Sequence, residues 1–187
     1  MVILGTERLI LRQFHLFDED ALDQIFGDPE VMRYGPGIQT RQWIRQWLET
    51  CLENYQKLGF GSWAVVEKAG SLVIGYAGLY HFTDIDRHPE IEVGYRFIRS
   101  HWGQGFATEA VKAIREYAFH VLCLPRLIAL IDPQNTASIR VAEKIGMQYE
   151  KDVMLEGYTY PDRLYAIMNL VHNGDFLDLS NTTFLDQ

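Results

Sequence analysis

A mixed α/β fold, with a sheet of about seven strands and helices on both faces, is what this 187-residue chain predicts. Three observations carry that prediction. Apolar residues switch repeatedly between the two-residue repeat of strands and the 3.6-residue repeat of helices, in the order β-α-α-β-β-β-α-β-α-β-β. The central strands follow one another as a hairpin meander, and a strand–helix–strand crossover comes next; together these give a mixed sheet. The length suits one domain with a real core, expected over 1–172, ahead of a polar and acidic tail over 173–187.

Residues 6–14 (TERLILRQF) set Leu9 and Leu11 against Arg8, Ile10 and Arg12 and read as the first strand. Residues 15–27 place Leu16, Ala21, Leu22, Ile25 and Phe26 at helical spacing, with Asp18 near the start and Gly27-Asp28-Pro29 as the stop. Val31, Met32 and Tyr34 follow in a short segment closed by Gly35-Pro36-Gly37. A second helix over 40–58 carries Trp43, Ile44, Trp47, Leu48, Cys51, Leu52 and Tyr55 in one wide apolar stripe. Its tryptophans read as packing residues, with a pocket-lining role as the alternative.

From residue 60 the pattern becomes a hairpin turning at 68–71, followed by a polar loop over 83–89 and a third strand over 90–98. The helix over 107–122 places Ala107, Ala110, Val111, Ile114, Tyr117, Ala118 and Val121 on one face. A strand over 126–131 leads to Asn135, an N-cap for a helix over 137–145 that Gly146 stops. Strands over 147–156 and 163–171 flank a last loop.

Composition narrows the function. A net charge of −8 argues against nucleic acid as the main partner. No run of 18 apolar residues exists, and the first five residues lack the charged region of a signal peptide, so neither a membrane span nor export is expected. Six scattered histidines and two cysteines, Cys51 and Cys123, have no metal-ligand spacing. No metal and a reducing, cytoplasmic setting are the expectation.

The stretch over 91–110 carries the chemistry. A strand passes through Gly103-Gln104-Gly105 into a helix, whose first N–H groups lack intrahelical partners and whose dipole is positive there. Such a turn can hold a phosphorylated ligand, but alone it serves a strand–helix junction on steric grounds equally well. No Gly-Lys-Ser/Thr is present, which argues against a P-loop nucleotide phosphatase.

Several segments match one family in order and spacing: TERLILR; Asp28-Pro29-Glu30-Val31-Met32-Arg33-Tyr34; GSWAVVEK with LVIGYAGL; Glu92-Val93-Gly94-Tyr95; Trp102-Gly103-Gln104-Gly105-Phe106-Ala107-Thr108-Glu109-Ala110; and Asn135-Thr136-Ala137-Ser138 with Glu143-Lys144-Ile145-Gly146-Met147. The chain thereby resembles the GNAT N-acetyltransferase superfamily over 6–170, and within it the ribosomal-protein-alanine (RimJ/RimL-like) branch. Where many members carry a tyrosine acid, seven residues after the asparagine, this chain has Ala142.

The resemblance implies a mostly antiparallel GNAT sheet and acyl transfer from acetyl-CoA to a primary amine in a ternary complex. Gly103, Gln104, Gly105, Phe106, Ala107 and Thr108 would cradle the pyrophosphate. A strand edge at Phe97, Ile98 and Arg99 would pair with the pantetheine amides, where the fourth and fifth strands splay, with Gly94 the place for a bulge. Asn135 would reach the pantetheine as well as cap its helix. Glu92 is the candidate base, Glu90 having the same strand parity, and Ser138 the candidate proton donor to the leaving thiolate. Glu92 on a solvated strand face and Ser138 as a plain first-turn hydroxyl are the competing readings. Arg140 and Lys144 meet the 3′-phosphate or simply line an outer helix face. The expected acceptor is a protein N-terminus, a polyamine or a small amine, the acidic chain favouring a cation. Monomer and homodimer both fit. The alternative function is a non-catalytic acyl-CoA-binding or protein-interaction module on the same fold.

Overall fold

The computed structural model describes residues 1–170. The end of the last predicted strand, the expected boundary at 172 and the tail over 173–187 lie outside the described residues.

The chain opens with a strand that the sequence reading missed, β1 (Val2–Gly5), which hairpins onto β2 (Leu9–Arg12). Val2, Ile3 and Leu4 are too short a run to show a period, yet Ile3 and Leu4 pack on the core. A 3₁₀ turn over Leu16–Asp18 leads into α1 (Glu19–Phe26). The Thr40 hydroxyl accepts from Trp43 N–H at 3.2 Å and starts α2 (Arg41–Lys57). The meander is β3 (Ser62–Glu67), β4 (Leu72–Ile85) and β5 (His88–Phe97). Then come α3 (Phe106–His120), β6 (Arg126–Ile131), α4 (Thr136–Lys144), β7 (Gln148–Val153) and β8 (Asp162–Met168).

The eight strands form one mixed sheet in the order β1-β2-β3-β4-β5-β6-β8-β7. Every neighbouring pair is antiparallel except β5 and β6, the strands joined by the α3 crossover. Those two pair at a single position, Glu92 opposite Ile128, and diverge beyond it. The sheet is therefore continuous in order but open along the second half of β5.

Cross-strand partners share a face, so the register assigns the side chains. Tyr76 lies opposite Arg96, Gly78 opposite Gly94 and Tyr80 opposite Glu92; this face is covered by α1 and α2, where Phe26 and Trp47 pack on the Tyr76 ring at 5.4 and 5.2 Å. Trp43 and Trp47 are indeed packing residues, each in edge contact with Phe26 at 5.1 Å. The other face presents Trp63, Leu79, Val93, Tyr95 and Phe97 towards α3 and α4, with Trp63 edge-on to Tyr117 at 5.7 Å. No helix among the described residues is long and apolar enough to cross a membrane.

Candidate active site

The Gly103–Gly105 turn owes its glycines to backbone angle. Gly103 and Gly105 have φ of +73° and +84°, a region that side-chain-bearing residues rarely enter. A Cβ on Gly103 would meet nothing within 4 Å, so the space above the turn is open. The first backbone bond into α3 is Glu109 N–H to the Gly105 carbonyl at 3.0 Å, which leaves the N–H groups of Phe106, Ala107 and Thr108 without helical acceptors. Phe106 is buried and anchors the helix start, while Gln104 stays exposed and donates from Nε2 to the Ser100 carbonyl. An open cradle of unpaired N–H groups at a helix N-terminus fits a pyrophosphate.

The cradle is held from below by the first hairpin. Glu109 accepts from the Thr6 hydroxyl at 2.6 Å, Arg8 N–H at 2.9 Å and Arg8 Nε at 2.7 Å. Arg8 Nη1 donates to the Gln104 carbonyl at 3.0 Å, and its guanidinium lies 4.3 Å from the Phe106 ring centroid. These bonds draw the Glu109 carboxylate down and neutralise it, so its charge does not oppose an anion above the turn.

Along β5 the expected edge shifts. Ile98 N–H bonds to the Ile74 carbonyl at 2.9 Å, and the Ile98 carbonyl accepts from His101 N–H at 3.0 Å. The strand ends at Phe97, and residues 99–101 turn away as a 3₁₀ segment. Ladder alternation then directs the N–H and C=O groups of Val93, Tyr95 and Phe97 into the opening beside β6. The Phe97 carbonyl there accepts from Trp102 Nε1 at 2.7 Å. Ile98 is thus committed internally, and Arg99 is exposed in a surface groove with Asp23, Gly27, Asp28 and Pro29. No bulge occurs at Gly94, which stays in register opposite Gly78. A Cβ there would stand 3.0 Å from the Tyr80 ring, so close approach is what requires the glycine.

Glu92 and Glu90 are distinguished by their partners. Glu90 is paired with Arg126 at 3.1 Å, and Arg126 also holds Glu150 at 2.8 Å. Glu92 instead reaches across the opening and accepts from Leu130 N–H at 3.1 Å. Burial pushes its carboxyl up to about 7, against the Leu130 hydrogen bond and the Arg96 charge that pull it down; Asp162 adds to the rise. A group balanced near neutral pH and placed at the opening has the properties of a general base.

Ser138 sits at the other face of the same opening. The Asn135 side-chain oxygen accepts from Ser138 N–H at 3.1 Å and caps α4, as expected, which leaves the Asn135 amide nitrogen for another acceptor. The Ser138 hydroxyl accepts from the Tyr95 hydroxyl at 3.1 Å. Burial pushes that phenol up to about 12, so it keeps its proton. Tyr95 was not singled out from the sequence; its strand parity, opposite to that of Glu92, is the signal that places it beside α4. Ala142, at the position where the resemblance led one to look for a tyrosine acid, is buried in the core. Arg140 and Lys144 are both exposed on α4.

Two further hydrogen bonds tie loops to the turn before α4. The Tyr34 hydroxyl donates to the Gln134 carbonyl at 3.3 Å, which ties the loop before α2 to the turn before α4. The Tyr160 hydroxyl donates to Asp132 at 2.5 Å. Asp162 is buried with Oδ1 unpartnered, and burial, with the nearby Asp132 charge, raises its carboxyl above the usual range. Among the described residues no group of three or more His, Cys, Asp and Glu side chains is arranged to hold a metal ion.

Comparison with known proteins agrees with this geometry. The family described as "Acetyltransferase (GNAT) domain" matches residues 8–148. Two Bacillus relatives are the uncharacterized protein YkkB of Bacillus subtilis, 38% identical over 80% of this chain and 87% of its own length, and the uncharacterized N-acetyltransferase p20 of Bacillus licheniformis, 36% identical over 80% and 84%. A GNAT-family acetyltransferase structure from Bacillus anthracis superposes with a TM-score of 0.76 at 29% identity, over 90% of this chain and 99% of that one. More distant matches include spermidine N(1)-acetyltransferase of Escherichia coli, 32% identical over 54% of this chain and 55% of its own. A ribosomal-protein-S5-alanine acetyltransferase from Vibrio fischeri shares the fold alone, with a TM-score of 0.75 at 21% identity, over 90% of this chain and 97% of that one.

Proposed function

The chain belongs to the GNAT acetyltransferase family, and from that premise we propose that it moves an acetyl group from acetyl-CoA to a primary amine by direct attack within a ternary complex. Acetyl-CoA supplies the acetyl group as a thioester; the rest of the reading concerns what the residues of this chain do. Phe106, Ala107 and Thr108 donate backbone N–H groups to the pyrophosphate, with Gly103, Gln104 and Gly105 shaping the turn. The groups still open on that edge, the Val93 carbonyl, the Tyr95 N–H and carbonyl and the Phe97 N–H, bind the pantetheine with the Asn135 amide as an added strand would.

The observation that carries the catalytic reading is Glu92, poised near pH 7 at the mouth of the opening. It takes the proton that the amine sheds as its nitrogen bonds to the acyl carbon, directly or through one water. An α-amino group, with a reference pKa of about 8, asks less of such a base than a lysine at about 10.4. That favours an α-amine, the chemistry that the ribosomal-protein-alanine branch is named for. On the opposite face Ser138, backed by Tyr95, gives a proton to the sulfur as the carbon–sulfur bond breaks.

A non-catalytic module has no need of a base near neutrality, and nothing in the site favours it. Incubation with acetyl-CoA and an amine panel should release free thiol in step with acetylated product. If Glu92→Gln and Ser138→Ala both leave that release unchanged, the residue roles are wrong; if no amine supports release, the transferase reading itself fails.

A further inference from the structure

Arg96 lies on the same face of β5 as Glu92, with Gly94 between them. It is half-buried beneath α1 and α2, and its surroundings offer it little. The Tyr76 hydroxyl accepts from Nη1 at 2.8 Å. No carboxylate lies within ion-pair distance among the described residues, although Arg8, Arg12, Arg33, Arg41, Arg45 and Arg126 all have one. Nor does its guanidinium stack on a ring among those residues, as Arg8 and Arg33 do. The backbone of Gly35 closes over it so tightly that a Cβ there would fall 2.3 Å from Nη2.

An interior guanidinium keeps its charge and presents five donors. Holding one away from water costs several kcal/mol unless an anion or acceptors answer it. One phenol answers a single donor. None of the nitrogens left over is among the sealed, unpartnered side-chain atoms of the described residues, so they keep access to solvent.

Along that face of β5, Gly94 alone stands between Arg96 and the base. Gly94 puts no side chain between the two, and the Glu92 Oε2 atom lies 3.9 Å from where a Gly94 Cβ would stand. The Tyr80 ring lies alongside. An acid and a cation thus face one small space from opposite ends without bonding to each other. A molecule that carries an ammonium and an anion a few bonds apart complements both.

We propose that Arg96 binds a carboxylate of the acceptor, so that the acceptor is an α-amino acid whose amine faces Glu92 and whose carboxylate lies on the guanidinium. The planar fork of Arg96 matches a carboxylate in two parallel hydrogen bonds. A polyamine offers it no anion, and an ordinary protein N-terminus has an amide where the carboxylate would be. This inference rests on the transferase reading above and narrows its acceptor.

The test is thiol release with acetyl-CoA and two matched sets of acceptors, the free L-amino acids and their α-amides, with spermidine as a third arm. The best amino acid should exceed its own amide in kcat/KM by at least about tenfold. In Arg96→Gln that ratio should fall to within about twofold, through KM for the acid, since the change at Glu92 that follows loss of the Arg96 charge acts on acid and amide alike and cancels in the ratio. Equal rates for acid and amide in the wild type, or a preference for spermidine, overturn the proposal without recourse to a variant. Absence of release on every amine overturns it together with the transferase reading, whereas release without discrimination overturns it alone. An amino-acid preference that survives in Arg96→Gln assigns the carboxylate to another residue and overturns it too.

Discussion

A carboxyl held near pKa 7, as Glu92 is, keeps a proton in the folded chain that the unfolded chain releases from pH 4.5 upward. The folded-state value is raised, so its contribution to stability is full below about pH 4.5 and is lost as pH rises through about 7. That loss amounts to up to about 3 kcal/mol. Catalysis runs the other way, because a base works only once deprotonated. Thiol release should therefore climb with pH to a plateau above about 7 while urea midpoints decline over the same range. Glu92→Gln should lower the plateau by about a hundredfold or more and flatten the stability curve. An unaltered pH limb in that variant would assign the ionisation to another group. Glu90 stands outside this conflict, since it is occupied by Arg126 at 3.1 Å.

At the scale of the element, the turn before α3 unites angle, opening and support. The φ of +84° at Gly105 is strained for any residue with a side chain, and its nearest neighbour, Arg8 Nη2, is 3.5 Å from a Cβ position, so crowding plays little part. Gly105→Ala should cost roughly 1–2 kcal/mol of stability and raise the KM for acetyl-CoA several-fold with the acceptor KM unchanged. Chemical denaturation and initial rates at varied acetyl-CoA measure the two effects. If both constants rise equally, the turn also shapes the acceptor side. Beneath it, the Thr6–Arg8–Glu109 bonds link a motif near residue 6 to one near residue 109, a connection that only the folded chain reveals.

Taken whole, the sheet is two ladders, β1 to β5 and β6 to β8, that meet at one pair and part. A ligand lying in that gap completes the structure, so binding should stabilise the whole protein. Acetyl-CoA at a hundred times its Kd should add about 2.7 kcal/mol, visible as a higher melting temperature; no shift at saturating ligand would argue against the gap as its seat. Element order and the glycine turn were legible in the sequence, because periodicity and turn residues are local signals. The N-terminal strand escaped because four residues hold too little pattern. Tyr95 and Arg96 escaped for a different reason: their meaning depends on which face of β5 each occupies and on partners such as Ser138 and Tyr76, far away in the chain. The bulge expected at Gly94 failed because a glycine in a strand serves close packing as well as irregularity, and here the Tyr80 ring is the reason.

Trp102 makes the cradle visible in the optical sense. Of the four indoles, Trp63 is sealed at 1% exposure, and Trp43 and Trp47 stack on one another on the core side of α2. Trp102 alone is well exposed, at 47%, with its ring nitrogen tethered to the strand end and its neighbour Gly103 beginning the turn. Iodide or acrylamide should therefore quench its red-shifted emission first, and a nucleotide settling over the turn should shield it. The protein carries its own fluorophore for counting occupied sites, with no label and no turnover required.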